Sequence, residues 1–203
     1  MTGVPTYRTT VGSQSVDLPL VPLTDDCTIA LLICVDLGVG FTEIAGRELA
    51  EQLAPFRPEL VVSVATMGIP LAIEVSRSLG LDDYVILHKT PKIHLGESLV
   101  EPVRSITTDS QQTLRMDPVR AELVRGRRVA VVDDVISTGA SMAAALSLVR
   151  RAGADLAAVG VLMTEGRAWR ATLGADGGKV VALGSMPVFR PDSSGSGLHP
   201  DWG

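Results

Sequence analysis

The chain is short of aromatic side chains, cysteine, histidine and positive charge, and each shortage removes a class of function. Phe, Trp and Tyr make up 3% of its 203 residues. Two cysteines, Cys27 and Cys34, are too few for a disulfide framework, and their spacing matches no zinc pattern. They are expected as reduced core thiols, which suits a cytoplasmic setting. The three histidines, His88, His94 and His199, fall at no metal-ligand spacing and complete no discernible Ser-His-Asp or Cys-His set. Lys and Arg number 18 against 23 Asp and Glu, a net charge of −5, so no basic face is offered to a nucleic-acid backbone. The most apolar run, residues 28–35, stops at Asp36, far below the ~20 residues that a membrane helix needs. Residues 1–8 show no basic-then-apolar leader. The expectation is a soluble cytoplasmic protein that binds neither nucleic acid nor membrane.

What is present is a strand–helix rhythm on a 46% hydrophobic chain, enough for one substantial core. Residues 60–64 predict a strand, 65–69 a loop, 70–79 a helix stopped by Gly80, and 84–87 a second strand, which is a βαβ unit. Asp117 and Pro118 read as N-cap and first residue of a short helix ended by Gly126. Residues 129–132, 156–163 and 180–183 are further apolar strands, with a helix from Met142 to Arg151 and a polar segment at 164–178. Right-handed crossovers make such strands parallel and gather the following loops on one edge, where open α/β sheets bind ligands. The fold class is therefore α/β, a single domain with a mostly parallel open sheet flanked by helices.

The flanks are less regular. Residues 1–26, broken by Pro19 and Pro22, predict an edge strand or irregular cover. Residues 27–35 predict a strand or short buried segment and 36–41 a loop. A helix runs from Glu43, with Thr42 as N-cap and Pro55 as stop. Residues 97–116 suit an extended hairpin, an inserted element that reads as a mobile lid. The division expected is a cover at 1–41, a core at 42–185 and a flexible, dispensable tail at 186–203.

The densest chemistry lies at residues 129–141, Val-Ala-Val-Val-Asp-Asp-Val-Ile-Ser-Thr-Gly-Ala-Ser. Four apolar residues run into paired acids, then into a hydroxyl- and glycine-rich turn before a helix. N–H groups and hydroxyls gathered at a helix N-terminus make an anion cradle. Asp133 and Asp134 do not suit a bare phosphate and are better matched to sugar hydroxyls or a metal ion, so the ligand reads as a phosphorylated sugar. A Walker A loop is excluded because no Lys follows Gly139. A receiver domain of two-component signalling also opens on a strand ending in acids, but only about 70 residues follow Asp134, too few for a domain of typical size.

This string resembles the phosphoribosyl pyrophosphate (PRPP) signature of type I phosphoribosyltransferases. The resemblance covers residues 15–185 and implies that family's fold, with a small N-terminal hood at 1–41, a flexible hairpin loop, and a homodimer. It implies PRPP and a nitrogenous base as partners and Mg²⁺ as cofactor. Val135, Ile136, Ser137, Thr138, Gly139, Ala140 and Ser141 would hold the 5′-phosphate. Asp133 and Asp134 would act in catalysis, on the ribose hydroxyls or on Mg²⁺ through its waters. Residues 62–70 resemble the pyrophosphate loop, placing Thr66, Met67 and Gly68 on the leaving group. Residues 88–96 resemble the Arg-Lys-x-Gly-Lys-Leu-Pro-Gly segment of adenine enzymes, which puts Lys89 and Lys92 there too. Arg104, on the hairpin, would act catalytically as the lid excludes water.

The base falls to the hood and to residues 164–170. Phe41 and Trp169 could stack on a purine or simply pack in the core and on the surface; Glu165 could accept an N–H or stay a solvated loop acid. The chain departs from adenine enzymes at Thr107, where they often carry Glu. The expected function is transfer of ribose 5-phosphate from PRPP to a purine or purine-like base in salvage. The alternative is a PRPP-binding regulatory protein of the same fold without transferase activity.

Overall fold

The computed structural model describes residues 5–90, 98–103, 112–192 and 197–203. In chain order the described elements are β1 (Thr6–Val11), β2 (Gln14–Thr24), β3 (Cys27–Ala30), α1 (Val39–Leu53), β4 (Leu60–Val64), α2 (Gly68–Leu79), β5 (Tyr84–Leu87), β6 (Leu99–Val103), β7 (Gln112–Met116), α3 (Pro118–Val124), β8 (Arg128–Ile136), α4 (Ala140–Arg151), β9 (Asp155–Glu165), α5 (Ala168–Leu173), β10 (Val180–Met186), β11 (Val188–Pro191) and β12 (Leu198–Asp201).

The core is a five-stranded parallel sheet in the order β10-β9-β8-β4-β5. Its central strands are buried on both faces: all five residues of β4 and every residue of β9 after Asp155 are buried. That explains why they read as unbroken apolar runs instead of alternating ones. Alternation survives in which layer each residue serves. Leu60, Val62, Val129 and Val131 pack with α4 and the β6–β7 hairpin, while Val61, Ala130 and Val132 pack with α1, α2 and the N-terminal strands. Asp117 caps α3 as the sequence predicts, its carboxylate accepting from the Val119 N–H at 2.9 Å. The hairpin is present as antiparallel β6 and β7; the tip between them lies outside the described residues.

Several boundaries differ from the sequence reading. Residues 36–41 are not a loop: a 3₁₀ turn covers Cys34–Leu37, and α1 starts at Val39 with Gly38 at φ 87° as its N-cap. Two glycines mask a helical stripe in which Phe41, Ala45 and Leu49 recur at four-residue spacing and are all buried. Thr42 is therefore inside the first turn, where its hydroxyl donates to the Gly38 carbonyl at 3.1 Å.

Residues 1–26 and the tail also require correction. Described residues 6–30 form an antiparallel meander, with Pro22 tolerated at a register shift between Pro22 and Thr24. The tail at 186–203, read as flexible, instead supplies β11 and β12, which complete a second sheet in the order β1-β2-β3-β11-β12. Between these two strands the Asp192 N–H bonds the Gly197 carbonyl at 2.9 Å. Phe189 is 6% exposed and meets Tyr7 edge-on at 5.2 Å, tying the end of the chain to its beginning. This five-stranded hood sits over α1 and the parallel sheet. Among the described residues no helix is long and apolar enough to cross a membrane.

Candidate active site

The site forms where β4 and β8, neighbours in the sheet, release their following loops. Strand β8 does not end at Val132. It continues through both acids to Ile136, pairing Asp133 with Val161 and Ile136 with Thr164 of β9. The turn is thereby reduced to residues 137–139, and α4 starts at Ala140, two residues before the sequence reading placed it.

Residues 135–141, with Asp133 and Met142, line a cavity of 130 Å³ at the start of α4. Gly139 is the N-cap in the left-handed region, φ 83°, and supplies no side-chain cap, so first-turn N–H groups are left for an anion. A Cβ on Gly139 would lie 3.1–3.3 Å from Thr172 and Trp169, so glycine lets α5 press against the turn. The Thr172 hydroxyl donates to the Thr138 carbonyl at 2.6 Å, fixing that contact.

Trp169 belongs to this buttress. It is 3% exposed, its indole N–H donates to the Gly166 carbonyl at 3.2 Å, and the Arg170 guanidinium covers its ring at 4.5 Å. Phe41, 8% exposed, packs in the hood-side core. Neither ring lines these two cavities: Phe41 belongs to the buried stripe of α1 and Trp169 supports Gly139, which is the packing alternative for each.

The β4–α2 loop meets the acids directly. A Cβ on Gly68 would come 2.1 Å from Ser63 Oγ and 2.9 Å from Asp133 Oδ1, a space that only glycine fits. Thr66 and Met67 precede the N-terminus of α2, which begins at Gly68 and not at Pro70. The Ala65–Thr66 peptide bond is cis. The Cys34 thiol donates to the Met67 carbonyl at 2.9 Å, bringing the segment after β3 alongside. Lys89, exposed beyond β5, draws both acids toward their charged forms. Lys92 and Arg104 lie outside the described residues, as does Thr107.

Burial and then the neighbouring Asp134 push the Asp133 carboxyl well above its ordinary range, and burial raises Asp134 too. Burial and the same two acids push the Cys34 thiol up to about 11. A cation, or donors from sugar hydroxyls, would relieve this pair. Among the described residues no group of three or more His, Cys, Asp and Glu is placed to hold a metal ion.

A larger cavity of 610 Å³ opens beside the cradle and shares Ser137 and Thr138 with it. Its walls come from Leu23, Thr24, Cys27 and Ile29 of the hood, from residues 165–168, and from Val188, Arg190, Asp201 and Gly203. The last four were missed, although a Val188-Phe-Arg alternation beside a Gly-rich turn is a hairpin signal. Arg190 is held by Asp201 at 3.1 Å and by the Asp26 carbonyl at 3.1 Å. Glu165, 5% exposed, accepts from the Ser137 hydroxyl at 2.5 Å; burial raises its carboxyl and that bond opposes the rise.

Residues 40–175 match the model of the phosphoribosyl transferase domain. Over 118 residues the chain is 32% identical to adenine phosphoribosyltransferase of Rhodospirillum centenum, covering 58% of this chain and 65% of that protein. It is 30% identical over 124 residues to orotate phosphoribosyltransferase of Caldanaerobacter subterraneus subsp. tengcongensis, covering 61% and 54%. The chain thus spans less than two thirds of the length of these two relatives. The crystal structure of adenine phosphoribosyltransferase from Thermoanaerobacter pseudethanolicus superposes with a TM-score of 0.68 at 19% identity, over 83% of this chain and 95% of that one.

Proposed function

The chain belongs to the phosphoribosyl transferase family, and from that membership we propose that it transfers ribose 5-phosphate from PRPP to a purine or purine-like base, releasing pyrophosphate in base salvage. One observation carries the reading: Gly68 abuts Asp133, so two helix N-termini flank one acid pair. That arrangement suits a sugar with phosphate at one end and pyrophosphate at the other.

In this reading the α4 cradle anchors the 5′-phosphate through N–H groups and the hydroxyls of Ser137, Thr138 and Ser141. Thr66, Met67 and Gly68 offer their backbone to the pyrophosphate, with Lys89 supplying positive charge. Asp133 and Asp134 accept from the ribose hydroxyls, whose protons offset the burial that raises both carboxyls. Mg²⁺, held by the same acids through its waters, would neutralise pyrophosphate charge. The base nitrogen bonds to C1′ as the C1′–O bond breaks and its electron pair leaves with pyrophosphate. The acids beside the sugar favour the positive charge that develops there. The 610 Å³ cavity, which shares Ser137 and Thr138 with the cradle, receives the base, whose nitrogen reaches C1′ from the side opposite the departing pyrophosphate.

The test is to incubate the protein with Mg²⁺, PRPP and a panel of purines and pyrimidines and to follow pyrophosphate. Release with a purine is expected. PRPP binding without turnover on any base would overturn the transferase reading and leave a PRPP-binding protein of the same fold.

A further inference from the structure

One hydrogen bond joins the two cavities. Ser137 lies on the wall of both, and its hydroxyl donates to Glu165, which lines the larger one. Among the described residues Ser137 is the hydrogen-bond partner of the Glu165 carboxylate, and Glu165 is 5% exposed. A hydroxyl has a single proton to donate. A phosphate in the cradle brings strong acceptor oxygens to the same hydroxyl and competes for that proton. A buried carboxylate deprived of its donor is costly until another donor replaces it. The space that reaches Glu165 is the larger cavity, where Leu23, Ile29 and Val188 offer apolar surface to the faces of a flat ring.

We infer that Glu165 selects the acceptor, a planar nitrogen heterocycle presenting an N–H or amino group to it, and that Ser137 frees Glu165 for this task when the cradle fills. The inference rests on the cradle being the 5′-phosphate site. Glu165 is then the specificity-determining residue and Ser137 a positioning residue that makes donor and acceptor binding cooperative. Cooperativity follows from linkage: whatever draws Ser137 away from Glu165 strengthens the acceptor, and the acceptor strengthens phosphate binding by the same factor.

Calorimetric titration tests this, with ribose 5-phosphate as the cradle probe and adenine, hypoxanthine and guanine as acceptor probes. In the wild type, saturating ribose 5-phosphate is expected to tighten at least one base by about fivefold or more. Ser137→Ala should bind that base equally with and without ribose 5-phosphate, and Ser137→Thr should restore the dependence. Glu165→Gln should weaken the base about tenfold or more, since a charged acceptor is lost, while ribose 5-phosphate still binds, which also reports that the variant is folded. The inference is overturned if the wild type binds ribose 5-phosphate but no base responds to it, or if Glu165→Gln binds the base as the wild type does. A wild type that fails to bind ribose 5-phosphate overturns the cradle reading itself and the inference with it.

Discussion

The loops that face the acid pair draw on two short stretches, 65–68 and 133–141, each ending one strand and starting the helix behind it. The larger cavity draws on β2 and β3, on 137–138, on 165–168 and on Val188, Arg190, Asp201 and Gly203, and closes only when β3 and β11 meet in one sheet. The proposed donor half is thus built from local geometry, with Gly68 fixed by its approach to Ser63 and Asp133 and Gly139 by its positive φ and its contact with α5. The proposed acceptor half is built from long-range pairing between β3 and β11. In the proposed reading the first carries the chemistry and the second the selectivity, and they meet at the Ser137–Glu165 hydrogen bond, a division the following substitutions challenge.

The largest effect is expected at Asp134. Asp134→Asn keeps the volume and removes the charge beside the sugar, and turnover should fall about 100-fold or more, the scale of losing one preorganised electrostatic contact. Pyrophosphate release under saturating PRPP measures it. A fall of less than about threefold would show that the acids are not where charge develops, and the donor half would lose its role.

The next largest belongs to the hood. Phe189→Ala removes a 6%-exposed ring and its contact with Tyr7, a change that costs about 3–5 kcal/mol in a well-packed core. The base KM should rise about tenfold, equivalent to roughly 1.4 kcal/mol of lost binding, while the Kd for PRPP stays within about twofold because distant sites behave additively. Equal losses for both ligands would mean that the halves are coupled through the hood core.

The same contrast explains what was legible in the sequence. Residues 129–141 announce a ligand because apolar run, acids, hydroxyls and glycine follow one another within a few residues, and the structure brings the loop at 65–68 to them as the βαβ rhythm implies. The strand ends were misplaced because the acids sit in hydrogen-bonded β8, and sequence polarity alone reads an acid as the start of a turn. The hood was illegible for a different reason. Strands β11 and β12 are four residues each, too short for periodicity to register, and β3, the partner of β11, lies about 160 residues upstream. For Phe41 and Trp169 the sequence left stacking and packing open, and their burial, to 8% and 3% exposure, accounts for both by packing.

A subtler separation should appear between function and stability. The carboxyls of Asp133 and Asp134 are raised above their unfolded values, chiefly by burial, so the stability tied to their protonation is fully present below the unfolded value near 4 and is lost as pH rises through the raised folded values. At neutral pH in the absence of ligand the ionised pair therefore destabilises the fold. Asp133→Asn is expected to melt higher than the wild type at pH 7 and to lose that advantage toward pH 4, while its turnover falls. A variant that melts lower at pH 7 would show that the pair is already neutralised in the free protein.

The smallest effect is expected where the hairpin joins the core. The Arg151 guanidinium donates to Glu101 Oε2 and to the Val100 carbonyl, both at 2.7 Å, tying β6 to the end of α4. The two side chains are 48% and 25% exposed, so solvent screens the pair and holds its worth to about 0.2–1 kcal/mol. Arg151→Ala should then lower the Tm by no more than about 4 °C and leave the base KM unchanged. Any kinetic effect should fall on PRPP, because the hairpin packs against α4, whose other end forms the cradle. A rise in the base KM without one for PRPP would place the hairpin with the acceptor half, and the line between the two halves would have to be redrawn through α4.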